Sequence, residues 1–196
     1  MTSCEAVDER VNLGGESDSL SDRELIAAIN GGDAAAFEIL YYRYKDWVVS
    51  LALRFTGNSD AALDVLQETF LYVLRKFPGF CLTANFKTFL YPAVRNLSIA
   101  ARRKAERYQV SAEALNQLEN TPAPTGTDPA CGDLDAVLVS LPEEQREVVL
   151  LRFVDGLSLG EIAEAVNIPL GTVKSRLHNA LQTLRRDERT RIYFEQ

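Results

Sequence analysis

Apolar side chains recur every three or four positions along most of this chain. The spacing is clear after Asp33, where the apolar residues are Phe37, Leu40, Tyr41, Tyr44, Val48, Leu51 and Leu53. Such spacing places apolar side chains on one face of an α-helix. No segment shows the alternation of apolar and polar residues that is typical of a half-buried strand. The pattern therefore predicts an all-α fold.

Capping and helix-breaking residues divide the first half of the chain into predicted helices. Ser21 and Glu24 have the spacing of a capping box, which predicts a helix start. The predicted helices run from Ser21 to Gly31, from Asp33 to Thr56, from about Asp60 to Phe77, and from about Asn85 to Arg107. Pro92 lies inside the last of them. Because proline has no N–H to donate, we expect a kink or a new helix start there.

A stretch rich in Pro, Gly and Thr, residues 120–132, separates two helical regions and shows no apolar period. Such composition is typical of a linker. We predict two small helical domains joined by a flexible linker, the second being a four-helix domain with a helix-turn-helix. The predicted boundaries are a flexible acidic leader over 1–20, a first domain over 21–108, an acidic linker over 109–133, and a second domain over 134–190.

The second domain contains two periodic segments, residues 158–166 and 171–186, at the spacing of a helix-turn-helix. Asn167-Ile168-Pro169 is the predicted turn between them. In the longer helix, Val173, Leu177, Leu181 and Leu184 form an apolar stripe. We expect this stripe to pack on the shorter helix.

Polar and basic side chains occupy the rest of that longer helix. Short polar side chains near a helix N-terminus can reach base edges, and Lys or Arg can contact phosphates on either side. The residues expected to contact DNA are Thr172, Lys174, Ser175, Arg176, His178 and Asn179. The alternative is an ordinary amphipathic helix with a solvated basic face. The turn, with small Ala163 and apolar Ile168 beside it, favours DNA binding.

Charge is distributed unevenly along the chain, whose formal net charge is −7. Residues 34–110 hold eleven basic and six acidic side chains, whereas residues 1–33 hold two basic and eight acidic ones. Residues 111–142 hold five acidic side chains and no basic one. A local basic region, rather than the net charge, is what nucleic-acid binding requires.

The basic residues of the first domain share one face of its fourth predicted helix. On a helical wheel this face comprises Arg95, Asn96, Ile99, Arg102, Arg103 and Arg107. Aromatic residues lie before the face or at its start: Phe80, Phe86, Phe89 and Tyr91. Aromatic side chains beside a cationic strip suit the capture of unpaired bases. The alternative, that the aromatic residues are core, is expected to hold for most of them.

The third predicted helix has an acidic side as well as an apolar stripe. The stripe expected to be buried comprises Leu63, Leu66, Phe70, Val73 and Phe77. Asp64 and Glu68 project from another side at i, i+4, where like charges repel. They indicate either a tolerated solvated face or a docking surface for a basic partner, to which Gln67 and Leu71 would also belong.

Several classes of site and protein are disfavoured by the sequence. The three cysteines are far apart, and His178 is the only histidine, so we expect no disulfide framework, metal site or cofactor. We also expect no enzymatic activity, because no Gly-rich phosphate loop or nucleophile–base pair is evident. Neither a signal peptide nor a membrane-spanning run is evident, and we therefore expect a cytoplasmic protein without membrane insertion.

Two groups of motifs resemble the two domains of extracytoplasmic-function sigma factors of the sigma-70 family. The motifs that resemble the first of these domains are Glu24-Leu25-Ile26 through Gly32-Asp33, residues 36–41, and Asp64-Val65-Leu66-Gln67-Glu68-Thr69-Phe70. The motifs that resemble the second domain are residues 141–152, residues 157–163, and Gly171-Thr172-Val173-Lys174-Ser175-Arg176-Leu177. The resemblance covers about residues 21–108 and 134–187.

The resemblance implies partners and roles for these residues. Asp64, Gln67, Glu68 and Leu71 would bind core RNA polymerase, a complex that includes the beta and beta-prime subunits. Arg95, Asn96, Ile99, Arg102 and Arg103 would contact the minus-ten element of promoter DNA, with one unpaired base captured by the preceding loop. The six residues of the longer helix in the second domain would read the minus-thirty-five element. Family membership also implies an anti-sigma factor.

The expected function is therefore that of a sigma factor, which directs polymerase to promoters and helps to melt them. The alternative is a stand-alone helix-turn-helix regulator that binds duplex operator DNA. That alternative leaves the acidic Asp64/Glu68 side and the basic helix around Asn96 without a role.

Overall fold

The computed structural model describes residues 20–115 and 133–187, with side chains over 20–108 and 137–187. The leader before Leu20, most of the predicted linker, and residues after Asp187 lie outside the described residues. Within these ranges the chain forms helices and no strands. The helices are α1 (Asp22–Asn30), α2 (Ala34–Thr56), α3 (Ser59–Leu74), α4 (Phe86–Leu115), α5 (Asp133–Ser140), α6 (Glu143–Phe153), α7 (Leu159–Val166) and α8 (Leu170–Arg186).

In the first domain α2, α3 and α4 pack against one another. Leu40 and Val48 of α2, Val73 of α3, and Leu90 and Val94 of α4 are fully buried. Burying an aliphatic side chain of this size contributes about 1.5–3 kcal/mol. The central packing thus fixes the position of α4, whose polar face was predicted to bind DNA.

The carboxylate of Asp22 holds the short helix α1 against α2. Arg43 Nη1 donates to Asp22 Oδ1 at 2.8 Å, and the Tyr44 hydroxyl donates to Asp22 Oδ2. Burial raises the pKa of Tyr44, and the hydrogen bond to Asp22 and the charge of Asp22 add to this effect. Tyr44 therefore stays protonated and remains a donor.

In the second domain α8 packs on α6 and α7, and α5 packs on α6. Two apolar clusters bury side chains of this domain. A small cluster comprises Val137, Leu141, Val149, Ala180 and Leu184. The other second-domain core residues belong to the large cluster that also fills the first domain. The two domains are therefore in contact, mainly through α4 and α7.

Three features of the first domain differ from the expectations. The third helix ends at Leu74 rather than Phe77, because the Phe77 N–H closes a turn onto the Leu74 carbonyl at 3.1 Å and Pro78 has no N–H with which to continue. No new helix starts at Pro92: α4 passes through it and runs to Leu115. Packing on both sides of the proline holds the helix, since its neighbours Leu90 and Val94 are fully buried.

The third difference concerns the apolar stripe of α3. Leu63 was expected to be buried, yet it is 48% exposed. The buried arc of α3 is instead centred on Ala62, Val65 and Thr69, which face α2 and α4. Leu63 lies outside that arc.

Among the described residues, no helix is sufficiently long and apolar to traverse a membrane.

Candidate nucleic-acid interface

The turn between α7 and α8 is built from local signals. Ser158 and Glu161 form a capping box at the start of α7. Asn167 ends α7 in the left-handed region, with φ of 56°, a conformation that asparagine adopts more readily than most residues. The Ile168 N–H donates to the Ala163 carbonyl at 3.0 Å, and α8 starts directly after Pro169. This confirms the predicted helix-turn-helix geometry.

The two sides of α8 differ in exposure as predicted. The residues Val173, Ala180 and Leu184 are buried, and Leu177 and Leu181 are partly buried. Of the six residues predicted to contact DNA, Lys174, Ser175, His178 and Asn179 are exposed, and Thr172 and Arg176 are partly buried. The structure thus brings all six to the N-terminal two-thirds of one helix.

Some of these six side chains have contacts within the domain. Arg176 Nη2 forms an ion pair with Glu144 Oε2 of α6 at 2.5 Å. The Ser175 hydroxyl donates to the Thr172 carbonyl at 3.0 Å. Lys174 and Asn179 project from the exposed side. They are the members best placed to meet a phosphate and a base edge.

The predicted DNA face of α4 is divided between solvent and protein. Asn96, Arg102 and Arg103 are exposed. Arg102 forms a long i, i+4 ion pair with Glu106, at 3.6 Å. Ile99 is partly buried, and the Arg95 Nε donates to Glu147 Oε1 of α6 at 2.9 Å. The C-terminal part of this face is therefore open, whereas its N-terminal part contacts the second domain.

The aromatic residues before and within the first turns of α4 separate into two groups. Phe86 and Tyr91 are buried and belong to the core. Phe80 and Phe89 are partly buried, and their rings lie 4.6 Å apart. Tyr72 stacks on Phe89 with ring centroids 6.0 Å apart. Phe80 and Phe89 are the two predicted aromatic residues that retain exposed surface beside the helix.

The loop before α4 is held by Asn30, at the end of α1. The Asn30 Oδ1 accepts from the N–H groups of Gly79 and Phe80, at 2.7 and 3.1 Å, and its Nδ2 donates to the Phe80 carbonyl at 2.8 Å. Sequence reasoning missed this residue. Its position before Gly31-Gly32 indicated only a helix end.

The acidic side of α3 borders a groove of about 470 Å³ between α3 and α4. Asp64, Gln67 and Glu68 line the α3 side, and Lys104 and Tyr108 are among the α4 residues that line the other. The three α3 side chains are exposed. The structure therefore brings these predicted polymerase-binding residues to one open surface.

Apolar residues lie beside this acidic side. Leu63, Leu71 and Leu74 of α3 are 48%, 44% and 43% exposed. Together with Gln67 they fall on one side of the helix at spacings of three and four residues. Leu71 was predicted to belong to the surface, and Leu63 and Leu74 were not. We call Leu63, Asp64, Gln67, Glu68, Leu71 and Leu74 the α3 surface.

A carboxylate of the second domain is buried against the first domain. Asp155 follows α6, and its side chain is only 1% exposed. Its Oδ1 accepts from Trp47 Nε1 and from Arg54 Nη2, both at 2.7 Å. Lys87 Nζ donates to the Asp155 backbone carbonyl at 3.0 Å.

A second carboxylate, Glu147 of α6, meets α4. Its Oε1 accepts from the Tyr91 hydroxyl as well as from Arg95 Nε. Burial raises the pKa of Tyr91, and the charge and hydrogen bond of Glu147 raise it further. Sequence reasoning assigned no role to either carboxylate, because their partners lie about 50 to 110 residues away in the chain.

Within the described residues no group of His, Cys, Asp and Glu is arranged to hold a metal ion.

Solved structures share the architecture. One is the structure of CnrH in complex with the cytosolic domain of CnrY, with a TM-score of 0.59 and 22% identity over 83% of this chain and 93% of that chain. Another is the sigma factor RpoE in complex with the anti-sigma factor NepR from Bartonella quintana, with a TM-score of 0.56 and 24% identity over 76% of this chain and 94% of that chain. At these identities the likeness shows the fold.

Curated relatives match over nearly their whole length. The ECF RNA polymerase sigma factor SigW of Bacillus subtilis (strain 168) is 32% identical, over 85% of this chain and 96% of that protein. The ECF RNA polymerase sigma-E factor of Escherichia coli (strain K12) is 31% identical, over 86% of this chain and 94% of that protein.

Two family descriptions match in the expected order. Residues 40–108 match Sigma-70 region 2, and residues 131–184 match Sigma-70, region 4. The first match spans α3 and the basic face of α4, and the second spans the helix-turn-helix. The first match includes both regions that a stand-alone regulator leaves without a role, the acidic side of α3 and the basic face of α4. The chain belongs to the extracytoplasmic-function sigma factors of the sigma-70 family, the promoter-directing subunits of bacterial RNA polymerase.

Proposed function

We propose that this sigma factor docks on core RNA polymerase through the α3 surface and contacts the two promoter elements with α4 and α8. The minus-ten contacts come from Arg95, Asn96, Ile99, Arg102 and Arg103. The minus-thirty-five contacts come from Thr172, Lys174, Ser175, Arg176, His178 and Asn179. The chain has no catalytic residues in this account, since nucleotide addition belongs to the polymerase. We also propose that it acts in the cytoplasm, together with RNA polymerase and chromosomal DNA.

The observation that carries the docking proposal is the exposure of three leucines beside two carboxylates on α3. Leu63, Leu71 and Leu74 are each more than two-fifths exposed. Exposed apolar side chains bordered by charges are typical of protein-binding surfaces. Asp64 and Glu68 would select a basic partner surface and accelerate encounter with it. The same carboxylates would repel DNA phosphates, so we assign this side to protein.

The DNA proposal for α8 is supported by the division of its faces. Val173 and Leu184 are buried, whereas Lys174 and Asn179 are exposed near the helix start. A helix that presents such side chains from its N-terminal turns can enter a major groove. Contacts to phosphate make the binding sensitive to salt.

In the proposal for α4, two groups of side chains contact promoter DNA. Arg102 and Arg103 would contact backbone phosphates, and exposed Asn96 would reach a base. The ring pair Phe80 and Phe89 lies in front of them and offers an apolar surface for an unpaired base. An anti-sigma factor that covers the α3 surface or these faces is also part of the proposal, since the family member RpoE is solved with such a partner.

Charge reversal on α3 tests the docking proposal. We expect Asp64→Lys with Glu68→Lys to weaken association with core RNA polymerase by about 30-fold or more, the range for loss of interfacial charge pairs. Co-purification and fluorescence titration with Escherichia coli core polymerase measure the effect. Circular dichroism should be unchanged, because both side chains are exposed.

A matched variant controls for the change in net charge. Glu38→Lys with Asp46→Lys alters the charge by the same amount at exposed positions of α2. We expect wild-type association from it. Equal weakening by both double variants, or by neither, would remove the assignment to α3.

A further inference from the structure

The side chain of Asn30, the last residue of α1, binds the backbone of the loop before α4, residues 75–85. Its Oδ1 accepts from the N–H groups of Gly79 and Phe80 at 2.7 and 3.1 Å, and its Nδ2 donates to the Phe80 carbonyl at 2.8 Å. A side-chain amide can make these contacts together because it carries both an acceptor and donors. One side chain thus binds both backbone polar groups of Phe80, 50 residues away in the chain.

Asn30 is held in place by the helix that carries it. Leu25 and Ile26 of α1 are buried in the first-domain core, and α1 packs on α2. The Gly31 N–H closes the end of α1 by donating to the Ala28 carbonyl at 2.9 Å. A side chain on a packed helix is positioned more precisely than one on a loop. The Asn30 amide is therefore a fixed point to which the loop is attached.

Within the described residues, Asn30 makes the only hydrogen bonds that join the backbone of residues 79–84 to the rest of the protein. Cys81 and Thr83 are exposed, and Leu82 between them packs on the core. Because apolar contact is non-directional, it does not fix the orientation of the peptide groups on either side of Phe80. That orientation therefore depends on Asn30.

The Phe80 ring belongs to a row of aromatic rings that runs from α3 to α4. Its centroid lies 5.5 Å from that of Phe77 and 4.6 Å from that of Phe89. Tyr72 of α3 stacks on Phe89 with centroids 6.0 Å apart. All four rings are partly buried and retain some exposed surface. Since Phe80 contacts Phe89 from the loop, the place of its ring depends on the backbone bonds from Asn30 as well as on the ring contacts.

We propose that Asn30 is a positioning residue for the capture of an unpaired promoter base, and that it sets which base the ring pair Phe80 and Phe89 accepts. This role rests on the proposed function of the ring pair. A captured base is selected by the shape of its pocket and by the hydrogen-bonding groups in it. Asn30 controls both: it fixes the Phe80 ring against Phe89, and it occupies the N–H groups of Gly79 and Phe80, which then cannot donate to a base.

Loss of Asn30 would relax this selection. The Phe80 ring would no longer have one fixed position, and the freed N–H groups of Gly79 and Phe80 could donate to any base. Both changes reduce the difference between bases, whereas exposed Arg102 and Arg103 of α4 still meet phosphates. Salt dependence reports the phosphate contacts and should not change. Loss of base selection at constant salt dependence distinguishes a positioning residue from one that grips the DNA backbone.

The experiment uses the full chain and a labelled DNA single strand of abasic nucleotides that carries one dA, dC, dG or dT at its centre. The same strand without any base measures the contribution of the phosphates alone. Fluorescence anisotropy gives the affinity for each strand, and the ratio of the two affinities is the gain contributed by the base. For the wild type we expect a gain of about fivefold or more with the best base, as base–aromatic stacking provides, and smaller gains with the others.

Asn30→Ala should reduce the gain of the best base to less than about twofold, while the affinity for the base-free strand and its salt dependence stay unchanged. Asn30→Asp keeps the acceptor for Gly79 and Phe80 but loses the donor to the Phe80 carbonyl, and it should give an intermediate gain. Its added negative charge acts on both strands alike and therefore cancels in the ratio.

Asn58→Ala is the matched control. The Asn58 Oδ1 also accepts from a backbone N–H of the first domain, that of Ala61 at 2.9 Å, but it lies at the start of α3 and not at the loop. We expect the wild-type gain with every base. A loss equal to that of Asn30→Ala would show that any such destabilisation relaxes base selection, and this outcome would overturn the positioning role.

Phe80→Ala separates the positioning role from base capture itself. We expect it to reduce the gain as Asn30→Ala does, and the double variant to lose little more, because both act through one ring. A lost gain in Phe80→Ala with a wild-type gain in Asn30→Ala would overturn the positioning role and leave base capture intact. No gain with any base in the wild type, or a wild-type gain in Phe80→Ala, would overturn base capture by the ring pair and the role of Asn30 with it. If Asn30→Ala fails to fold, Asn30→Asp is judged by the same ratio, and a wild-type gain overturns the role.

Discussion

The two helices assigned to promoter DNA differ in what surrounds them. On α8, Lys174 and Asn179 are exposed. On α4, Arg95 is engaged by Glu147 of the second domain, whereas Asn96 beside it and Arg103 farther along are exposed. One DNA face is thus open in this arrangement of the chain, and the other is partly covered.

The difference shows how far each face depends on tertiary structure. The apolar side of α8 is buried by α6 and α7, which belong to the same domain. In contrast α4 packs against α2 and α3 on one side and meets α7 on another. The exposure of the α8 face is therefore a property of its own domain, whereas the exposure of the α4 face changes with the relation between the domains.

The largest expected effect is a loss of affinity for DNA. This loss should depend on Glu147 for a variant of the α4 face but not for a variant of the α8 face. Lys174→Glu should weaken binding to a mixed-sequence duplex about tenfold at low salt and reduce the slope of log affinity against log salt by about one. Because Glu147 accepts from Tyr91 and Arg95 and not from Lys174, this loss should be the same with or without Glu147→Gln. The loss caused by Arg95→Ala should be larger once Glu147→Gln has released Arg95. Anisotropy titrations over a range of salt concentrations measure all four variants.

Arg23→Glu is the charge-matched control for Lys174→Glu. It reverses one exposed charge on α1, away from both assigned faces, and we expect a loss of less than about twofold. If Lys174→Glu and Arg23→Glu weaken binding equally, the effect is one of net charge, and the α8 face loses its assignment.

The α8 face could be predicted from sequence because its determinants are local. Ser158 caps α7, Asn167 ends it, and Pro169 precedes α8, so the turn can be read from consecutive residues. The apolar stripe from Val173 to Leu184 then fixes which side is buried. Helix positions in the first domain were predictable for the same reason, as the capping box at Ser21 shows.

In α3, Leu66, Phe70 and Val73 are buried as predicted. The exposure of Leu63 and the contacts between the two domains could not be predicted in this way. Small Ala62 and polar Thr69 are fully buried in α3, and a pattern based on large apolar residues therefore misplaces the buried arc toward Leu63. Asp155 and its partner Trp47 are separated by 108 residues. Periodicity reports which side of a helix is apolar, but not which distant side chain a carboxylate will meet.

A smaller effect is expected at the loop before α4, which has no counterpart before α8. Asn30→Ala removes three hydrogen bonds to Gly79 and Phe80. Each is worth about 1 kcal/mol, and each of the two amides donates one of them, so their exchange should accelerate about fivefold. The Ile168 amide in the other turn should be unaffected. Hydrogen exchange followed by NMR measures the individual rates.

Asn30→Asp sharpens this prediction. An aspartate keeps the oxygen that accepts from Gly79 and Phe80 but loses the Nδ2 donor to the Phe80 carbonyl. We expect the two amides to stay more protected than in Asn30→Ala. Equal acceleration in both variants would mean that the loop is not held by the Asn30 oxygen.

The smallest effect is expected at Glu161 of α7, which also contacts the start of α4. It completes the capping box of α7, and its pKa is lowered chiefly by the hydrogen bonds from Ser158, with a further contribution from Asn85 at the start of α4. A lowered pKa in the folded state means that the carboxylate stabilises the fold above its ordinary pKa of 4.5 and that this stabilisation is lost as the pH falls through the lowered value. Glu161→Gln should cost about 0.5 kcal/mol near pH 7, typical of a capping interaction, and less at about pH 3. Urea unfolding at the two pH values measures the difference, and an equal cost at both would show that the charge of Glu161 does not contribute.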